Sequence, residues 1–173
     1  MNIILTPERK MELEERLAPV RVRLLDERMS ILHDFRIADL EGTLQVGMFE
    51  DGTLGEIFID IAKEGSTMSG MADTIATQVS MGLQYGIPLK MMVKKFANVR
   101  FEPYGRTPNP CIPETSSISD YVFRWLGIMF LTPEEMREIG VETKCENCEQ
   151  AGFCKVKSLR PTNNTPVTKL AQP

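Results

Sequence analysis

The sequence predicts an α+β fold: a small antiparallel sheet followed by packed helices, with a flexible, cysteine-containing C-terminal tail. Runs of alternating apolar residues occupy the first third of the chain, and helical apolar spacing begins near residue 66. Residues 155–173 are rich in Pro, Thr and Asn and lack apolar periodicity. Because strands and helices come in separate blocks, the chain divides into a charged leader helix (1–19), an α+β domain (20–140) and a tail (141–173).

The strands are predicted from apolar side chains at every second position. Val20, Val22 and Leu24 alternate with Arg21 and Arg23 as in a half-buried strand. The other predicted strands are Ile31–Ile37, Thr43–Phe49 and Glu56–Ile61. Glu50-Asp-Gly-Thr53 predicts a hairpin turn, and Glu41-Gly42 a looser one.

The helices are predicted from capping residues and three- or four-residue apolar spacing. Thr6-Pro7-Glu8 begins a short charged helix to about Leu17, which Pro19 ends. Ser66 or Thr67 caps a helix to about Tyr85, and Pro88 begins another. Ser117 or Ser119 caps an aromatic-rich helix, and Thr132-Pro-Glu-Glu135 is a capping box for a last helix that Gly140 ends. The predicted inner positions are Met68, Met71, Ile75, Val79 and Leu83, then Leu89, Met92, Val93 and Phe96, then Ile118, Tyr121, Val122, Trp125 and Leu126.

Composition and charge limit the partners that we expect. The 173 residues are 42% hydrophobic, which suits one core, and the eleven Met are a weak sign of an adaptable binding surface. A net charge of -4 argues against a nucleic-acid binder, although residues 155–173 carry +4 and the remainder -8. Met1–Leu5 is too short for a signal peptide, and the apolar run Trp125–Leu131 is too short to span a membrane. We therefore expect a cytoplasmic protein with mostly reduced cysteines.

Three of the four cysteines lie within ten residues, as Cys145-Glu-Asn-Cys148 and Cys154. A Cys-x-x-Cys pair beside a flexible tail suits thiol–disulfide exchange, because the second thiol resolves a mixed disulfide. It also suits a zinc site with Cys145, Cys148 and Cys154 as ligands, for which His33 or Cys111 would be the fourth. From the residues alone, a redox pair, a metal site and inert thiols all remain open.

Two further segments could bind a ligand. Lys63-Glu-Gly65-Ser66-Thr67, at a strand-to-helix turn, offers a lysine, a glycine and hydroxyls to a phosphate, but it equally suits an ordinary helix cap. Arg100-Phe-Glu-Pro-Tyr-Gly-Arg106 is a basic, aromatic loop that could contact a partner or simply be an ordered surface loop. His33 is interpreted as a sheet-edge residue that is hydrogen-bonded to its neighbours. With one histidine, no catalytic triad is predicted.

A series of short sequence motifs over about residues 20–131, taken together, resembles the C-terminal region of adenosylcobalamin-dependent, class II ribonucleotide reductases. This region of those enzymes carries the TSCPD domain. The motifs are Leu25-Asp-Glu-Arg28, His33-Asp-Phe-Arg-Ile37, Glu41-Gly42, Val46-Gly47, Glu50-Asp-Gly52, Gly55-Glu-Ile-Phe-Ile59, Ala62-Lys-Glu-Gly-Ser-Thr67, Gln84-Tyr-Gly86, Lys95-Phe96, Arg100-Phe-Glu-Pro103, Asn109-Pro110 and Ser117-Ile-Ser-Asp-Tyr-Val-Phe-Arg-Trp-Leu126.

The resemblance implies an accessory subunit of a split enzyme that takes part in deoxyribonucleotide synthesis for DNA replication. The catalytic chain would hold the adenosylcobalamin, the substrate and the radical cysteine, so this chain would need no cofactor and would not be catalytic alone. Its Cys145/Cys148 dithiol would reduce the active-site disulfide of the catalytic chain and then be re-reduced by thioredoxin or glutaredoxin.

The sequence departs from the family in the cysteine region. The Thr-Ser-Cys-Pro-Asp phrase is replaced by Glu142-Thr-Lys-Cys-Glu-Asn-Cys148, and the second cysteine pair of many relatives is reduced to Cys154. This weakens the zinc interpretation more than the redox one, since exchange needs only two thiols. Two alternatives remain: an orphan nucleotide-binding or regulatory module, which could be virus-borne, and a zinc-stabilised interaction protein.

Overall fold

Three strands form an antiparallel sheet in the computed structural model of the chain, which describes residues 6–8, 20–61 and 66–141. The strands are β1 (Ser30–Ile37), β2 (Leu40–Met48) and β3 (Leu54–Ile61), in the spatial order β1-β2-β3. Alternate residues of β1 and β3 are buried, so one face of the sheet carries the core. The three strands predicted after residue 30 are confirmed.

The two turns of the sheet differ in how well the sequence predicts them. The hairpin at Glu50–Thr53 is confirmed: Gly52 has a φ of 79°, and Asp51 Oδ1 accepts from Thr53 N at 2.8 Å. The turn predicted at Glu41-Gly42 is wrong, because both residues lie within β2 and the chain reverses at Ala38, whose φ is 49°. A Cβ on Gly42 would lie 2.7 Å from the Phe35 ring, so this glycine makes room for an aromatic side chain.

Four helices follow the sheet within the described residues and confirm the α+β class. They are α1 (Thr67–Gln84), α2 (Leu89–Phe96), α3 (Ile118–Phe130) and α4 (Pro133–Glu138). Ser66, Ser117 and Thr132 cap α1, α3 and α4, and Thr132 forms the predicted capping box with Glu135. Two short strands, β4 (Gly105–Arg106) and β5 (Glu114–Thr115), pair within the loop before α3. In the described part of the chain, no helix has both the length and the apolar character to cross a membrane.

The helices cover the sheet in two ways. All five predicted inner residues of α3 are buried, and its Tyr121 and Trp125 pack against Phe35 and His33 of β1. α1 packs mainly against β3, with its small residues Ala72 and Ala76 buried. The predicted inner face of α1 is therefore only partly right, because Met71 is 60% exposed.

Polar side chains of α1 also cover the outer edge of β3. Ser80 Oγ lies 2.9 Å from Ile57 N and 3.1 Å from Ile57 O. One turn further along α1, Gln84 Nε2 donates to Gly55 O at 3.2 Å. Among the described residues no strand pairs with β3 on that side, and these contacts satisfy its edge groups there.

The strand predicted at Val20, Val22 and Leu24 is wrong. Val20 is 84% exposed, and Val22 N donates to Gln84 O at 2.9 Å, at the C-terminal end of α1. Carbonyl groups at a helix end lack partners within the helix, so an extended segment can bond to them without joining a sheet. The leader helix predicted from Pro7 to about Leu17 extends outside the described residues, of which Pro7 and Glu8 are helical.

Candidate interaction site

An apolar groove of about 290 Å³ lies between α1, α3 and β3. Its apolar lining comes from two helices, a strand and the loop before α3: Met68, Met71, Ala72, Ile75, Ile118, Val122, Phe123, Ile59 and Phe101. Met71 and Phe101 remain 60% and 42% exposed beside it. An apolar concavity with exposed Met and Phe at its rim suits the docking of apolar side chains from a partner.

The wall of the groove at Phe101 is held by a fully buried carboxylate, Asp120. Its oxygens accept from Asn98 N at 2.7 Å, Ser116 N at 2.8 Å and Thr115 Oγ1 at 3.0 Å. Arg124 forms an ion pair with the same carboxylate at 2.8 Å. One acidic side chain on α3 therefore fixes both ends of the loop from residue 98 to residue 116.

Further contacts order the same loop. Ser117 Oγ donates to Val99 O at 2.6 Å, and Phe101 N donates to Ser116 O at 3.2 Å. The guanidinium of Arg100 lies 4.9 Å from the centre of the Tyr104 ring. The basic, aromatic segment is thus an ordered surface loop, and its Phe101 forms part of the groove.

A second, more polar cleft of about 570 Å³ lies along β1 and β2. It is lined by Asp34, Arg36, Glu41 and Asp60, among others. No set of three or more His, Cys, Asp or Glu within the described residues is arranged to hold a metal ion. The apolar groove is therefore the stronger candidate for an interaction site.

His33 belongs to a hydrogen-bonded chain of side chains inside the core. Its Nε2 lies 2.9 Å from the Tyr121 hydroxyl, which also accepts from Asn109 Nδ2 at 3.1 Å. The imidazole ring stacks on Trp125 with 4.7 Å between ring centres. The interpretation of His33 as a sheet-edge residue bonded to its neighbours is confirmed.

Burial lowers the pKa of His33 from 6.5 to about 4, against a smaller raising effect of Asp34. Burial also raises the pKa of Tyr121. Near neutral pH, His33 is therefore uncharged and Tyr121 keeps its proton. Because Asn109 donates to the Tyr121 oxygen, the hydroxyl hydrogen of Tyr121 can be donated to Nε2, which places the ring proton of His33 on Nδ1.

Stability should consequently fall as the pH drops from 7 to 5. The unfolded chain takes up a proton at His33 near pH 6.5, whereas the folded chain resists it until about pH 4. The contribution of His33 is therefore complete above pH 6.5 and is lost between those two values. We expect a decrease of about 1–2 kcal/mol in the free energy of unfolding from pH 7 to pH 5, measured by urea titration.

The control for that measurement is His33→Gln, which removes the titrating group. Its stability should depend less on pH than that of the unchanged chain over the same interval. Parallel pH dependences of the two proteins would show that other groups cause the loss.

The structure locates only some of the site residues predicted from the sequence. Cys145, Cys148 and Cys154 lie outside the described residues, as do Lys63 and Gly65. Ser66 Oγ accepts from Ser69 N at 3.2 Å as the cap of α1, and Thr67 lies at the rim of the apolar groove. Ser66, in the described part of the predicted Lys63–Thr67 turn, thus has the contact of a helix cap.

Cys111 is buried and disulfide-bonded, and the described residues contain no second cysteine. The idea that Cys111 supplies a fourth zinc ligand is not supported, because zinc binds the thiolate form of cysteine. The position of Cys111 in the loop before α3 is fixed by Asn109, whose Oδ1 accepts from Cys111 N at 3.0 Å.

Comparison with known families identifies the domain that contains the groove. The family model of the TSCPD domain matches residues 22–130, more than half of the chain. The chain belongs to the TSCPD domain family. The match takes in the sheet, the groove and the Asp120 contacts, so the candidate site lies within the TSCPD domain.

Curated relatives of this TSCPD domain are named vitamin B12-dependent ribonucleotide reductase. One from Rhodopirellula baltica is 48% identical over 125 residues, covering 71% of this chain and 12% of the relative. One from Streptomyces avermitilis is 42% identical, covering 72% of this chain and 13% of the relative. One from Agrobacterium fabrum is 37% identical, covering 69% of this chain and 9% of the relative. The chain spans about an eighth of the first two relatives. No solved structure matches it.

Sequence reasoning did not locate the groove. It arises because Ala72 and Ala76, rather than Met71, lie against the sheet, and because the loop returns to α3 at Ser116. The available signal was the high methionine count together with Phe101 in a basic loop.

Proposed function

We propose that the chain is an accessory subunit of a split, adenosylcobalamin-dependent ribonucleotide reductase. The observation that carries the proposal is the 48% identity over 125 residues to a protein named vitamin B12-dependent ribonucleotide reductase. The matched part is 12% of that protein, and in this proposal the other parts of the enzyme belong to a separate catalytic chain. That chain would hold the cobalamin and the substrate, and deoxyribonucleotide synthesis would take place there, in the cytoplasm.

The role of this chain in the proposal is electron delivery. The domain docks on the catalytic chain, and Cys145 and Cys148 reduce the disulfide that the catalytic chain forms in each turnover. Thioredoxin or glutaredoxin then reduces the Cys145–Cys148 disulfide. Each step transfers two electrons from a dithiol to a disulfide, through a mixed disulfide that the second thiol resolves.

The apolar groove supports docking as the first step. Its lining is mostly apolar, and Met71 and Phe101 offer exposed apolar surface at its rim. Asp120 and Ser117 hold the loop that carries Phe101, so the site is formed before a partner arrives. A pre-formed site lowers the ordering cost of binding.

Docking is tested with Met71→Glu, which places a carboxylate at the rim of the groove. Burial of this charge against the catalytic chain would weaken binding, and we expect the Kd to rise at least about tenfold, or about 1.4 kcal/mol. The measurement is titration of the catalytic chain with the labelled full-length protein.

The matched control is Met91→Glu on α2, because Met91 is 61% exposed and does not line the groove. It should bind as the unchanged chain does. Equal weakening by the two substitutions would reject the groove as the docking site. Circular dichroism of both variants is the check that they are folded.

The two alternative functions make different predictions. A phosphate site at Lys63, Gly65, Ser66 and Thr67 requires binding of deoxynucleotides, measured by calorimetric titration. Electron delivery by the Cys145/Cys148 dithiol, the shuttle, needs no nucleotide affinity in this chain. A zinc site at Cys145, Cys148 and Cys154 requires about one zinc per chain in elemental analysis. The cap contacts of Ser66 favour the shuttle over the phosphate site.

A further inference from the structure

The face of the sheet that does not carry the core, its outer face, presents two exposed apolar side chains in one row. Strand register places Leu32 of β1, Gln45 of β2 and Phe58 of β3 side by side. These residues alternate with buried ones, so their side chains leave the sheet on the side away from the core. Leu32 is 66% exposed and Phe58 is 49% exposed. The described part of the chain therefore leaves this apolar row open to a partner.

Carboxylates occupy the next row of the outer face. Asp34, Thr43 and Asp60 lie opposite one another there, about 7 Å along the strands from the apolar row. Both acids are exposed, and no ion pair between described residues includes either of them. The polar cleft at this end adds the carboxylate of Glu41 and the guanidinium of Arg36. Three carboxylates against one guanidinium leave this end of the outer face negative.

The other side of the apolar row carries a neutralised acid. Ser30, Gly47 and Glu56 form that row, and Glu56 makes an ion pair with Arg28. A Cβ on Gly47 would lie 2.5 Å from Glu56 Oε1, so the side chain of Glu56 lies over this glycine. The unpaired negative charge is consequently on one flank of the apolar row only.

We propose that the outer face is a second docking surface, which takes a segment of a partner protein with apolar side chains beside lysine or arginine. Its apolar side chains cover Leu32 and Phe58, and its cations meet Asp34 and Asp60. A lysine or arginine suits this arrangement, because its apolar stem can lie on the row while its charge reaches the acids beyond. A second copy of the chain fits less well, since it would bring like charges together.

This inference goes beyond the proposed function and does not rest on it. The outer face and the apolar groove have different linings: the groove is lined by α1, α3, Ile59 and Phe101, whereas Leu32 and Phe58 are not among its residues. The two surfaces can therefore be tested separately.

Amide chemical-shift mapping of the full chain tests where a basic segment binds. The probe is a short amphipathic peptide built of leucine and lysine with helical spacing, and its counterpart has glutamate in place of lysine. We expect saturable shifts at Leu32, Gln45 and Phe58 with the lysine peptide and none with the glutamate peptide. Absence of saturable binding overturns the proposal, as do shifts centred on Met71 and Phe101 of the groove.

Two double variants separate the apolar and the charged contributions to binding of the lysine peptide. Leu32→Ser with Phe58→Ser should raise its Kd at least about tenfold at any salt concentration. Asp34→Asn with Asp60→Asn should raise the Kd about fivefold at low salt, and this loss should shrink at high salt because exposed charges are screened. Unchanged affinity in either double variant overturns the proposal.

The charge-matched control is Glu50→Gln with Asp73→Asn, which removes two acids from exposed positions off the outer face. Its Kd should stay within about twofold of that of the unchanged chain. Equal weakening by the two acid variants would mean that the peptide follows net charge, which overturns a defined site.

Sedimentation of the free chain tests the competing occupant. A concentration-dependent dimer that Leu32→Ser with Phe58→Ser dissociates would assign the outer face to a second copy and overturn the proposal, whereas a monomer that binds the lysine peptide supports it. Circular dichroism is the check that the variants are folded, and Leu32→Ser alone replaces the double variant if that one does not fold. The measurements need no catalytic chain, so their failure leaves the proposed function unaffected.

Discussion

A chain carrying Cys145→Ser and Cys148→Ser is expected to fold normally and to abolish multiple turnover of the reductase with thioredoxin. A serine hydroxyl has a shape close to that of a thiol but forms no disulfide, so electrons could not pass through the tail. The first turnover should still occur, because the catalytic chain begins with reduced cysteines of its own. Product formed per catalytic chain, measured with excess thioredoxin and its reductase, would therefore stop at one equivalent.

The matched control is Cys154→Ser, which removes a thiol from the same segment. A shuttle of two thiols should continue through many turnovers in this variant, whereas a three-cysteine zinc site would be damaged by any of the substitutions. Unchanged multiple turnover in the double variant would contradict electron delivery by this pair. Equal loss in the double variant and in Cys154→Ser, with zinc present in the unchanged chain, would favour the metal site.

Asp120→Ala is expected to lower the free energy of unfolding by about 3–5 kcal/mol, since it removes one partner of a buried ion pair. The substitution leaves Asn98 N and Ser116 N without their side-chain acceptor, and it leaves Arg124 without its carboxylate. Because these contacts hold the loop that carries Phe101, docking should weaken as well. Guanidinium titration measures the stability.

Asp73→Ala is the control for Asp120→Ala, because Asp73 is an exposed acid on α1. Its stability should stay within about 0.5 kcal/mol of that of the unchanged chain. If Asp120→Ala prevents folding, Asp120→Asn keeps one carbonyl oxygen and should show a smaller loss. A loss below about 1 kcal/mol in both Asp120 variants would contradict the assigned role.

The sequence predicts the helices well because their signals are local. Ser66, Ser117 and Thr132 begin helices in the structure at the positions that their side chains predict, since a cap acts within three residues. The strands Ile31–Ile37 and Glu56–Ile61 are also recovered, because one buried face imposes alternation.

The errors concern contacts between residues distant in sequence. Val22 alternates with charged neighbours like a strand residue, but its backbone partner is Gln84 of α1. Gly42 resembles a turn residue, but it serves the packing of Phe35 within the sheet. Asp120 is an ordinary first-turn acid by sequence, and only the folded loop shows that it is buried. The groove follows from the same loop and has no signal in a single segment.

The contacts of Ser80 and Gln84 with the edge of β3 limit how other proteins can join this sheet. A strand that adds to a sheet needs free backbone N–H and C=O groups along the edge. On β3, the groups of Ile57 and Gly55 are already bonded to side chains of α1. A partner that extends the described sheet by main-chain pairing at Gly55 and Ile57 would therefore have to displace these side chains of α1.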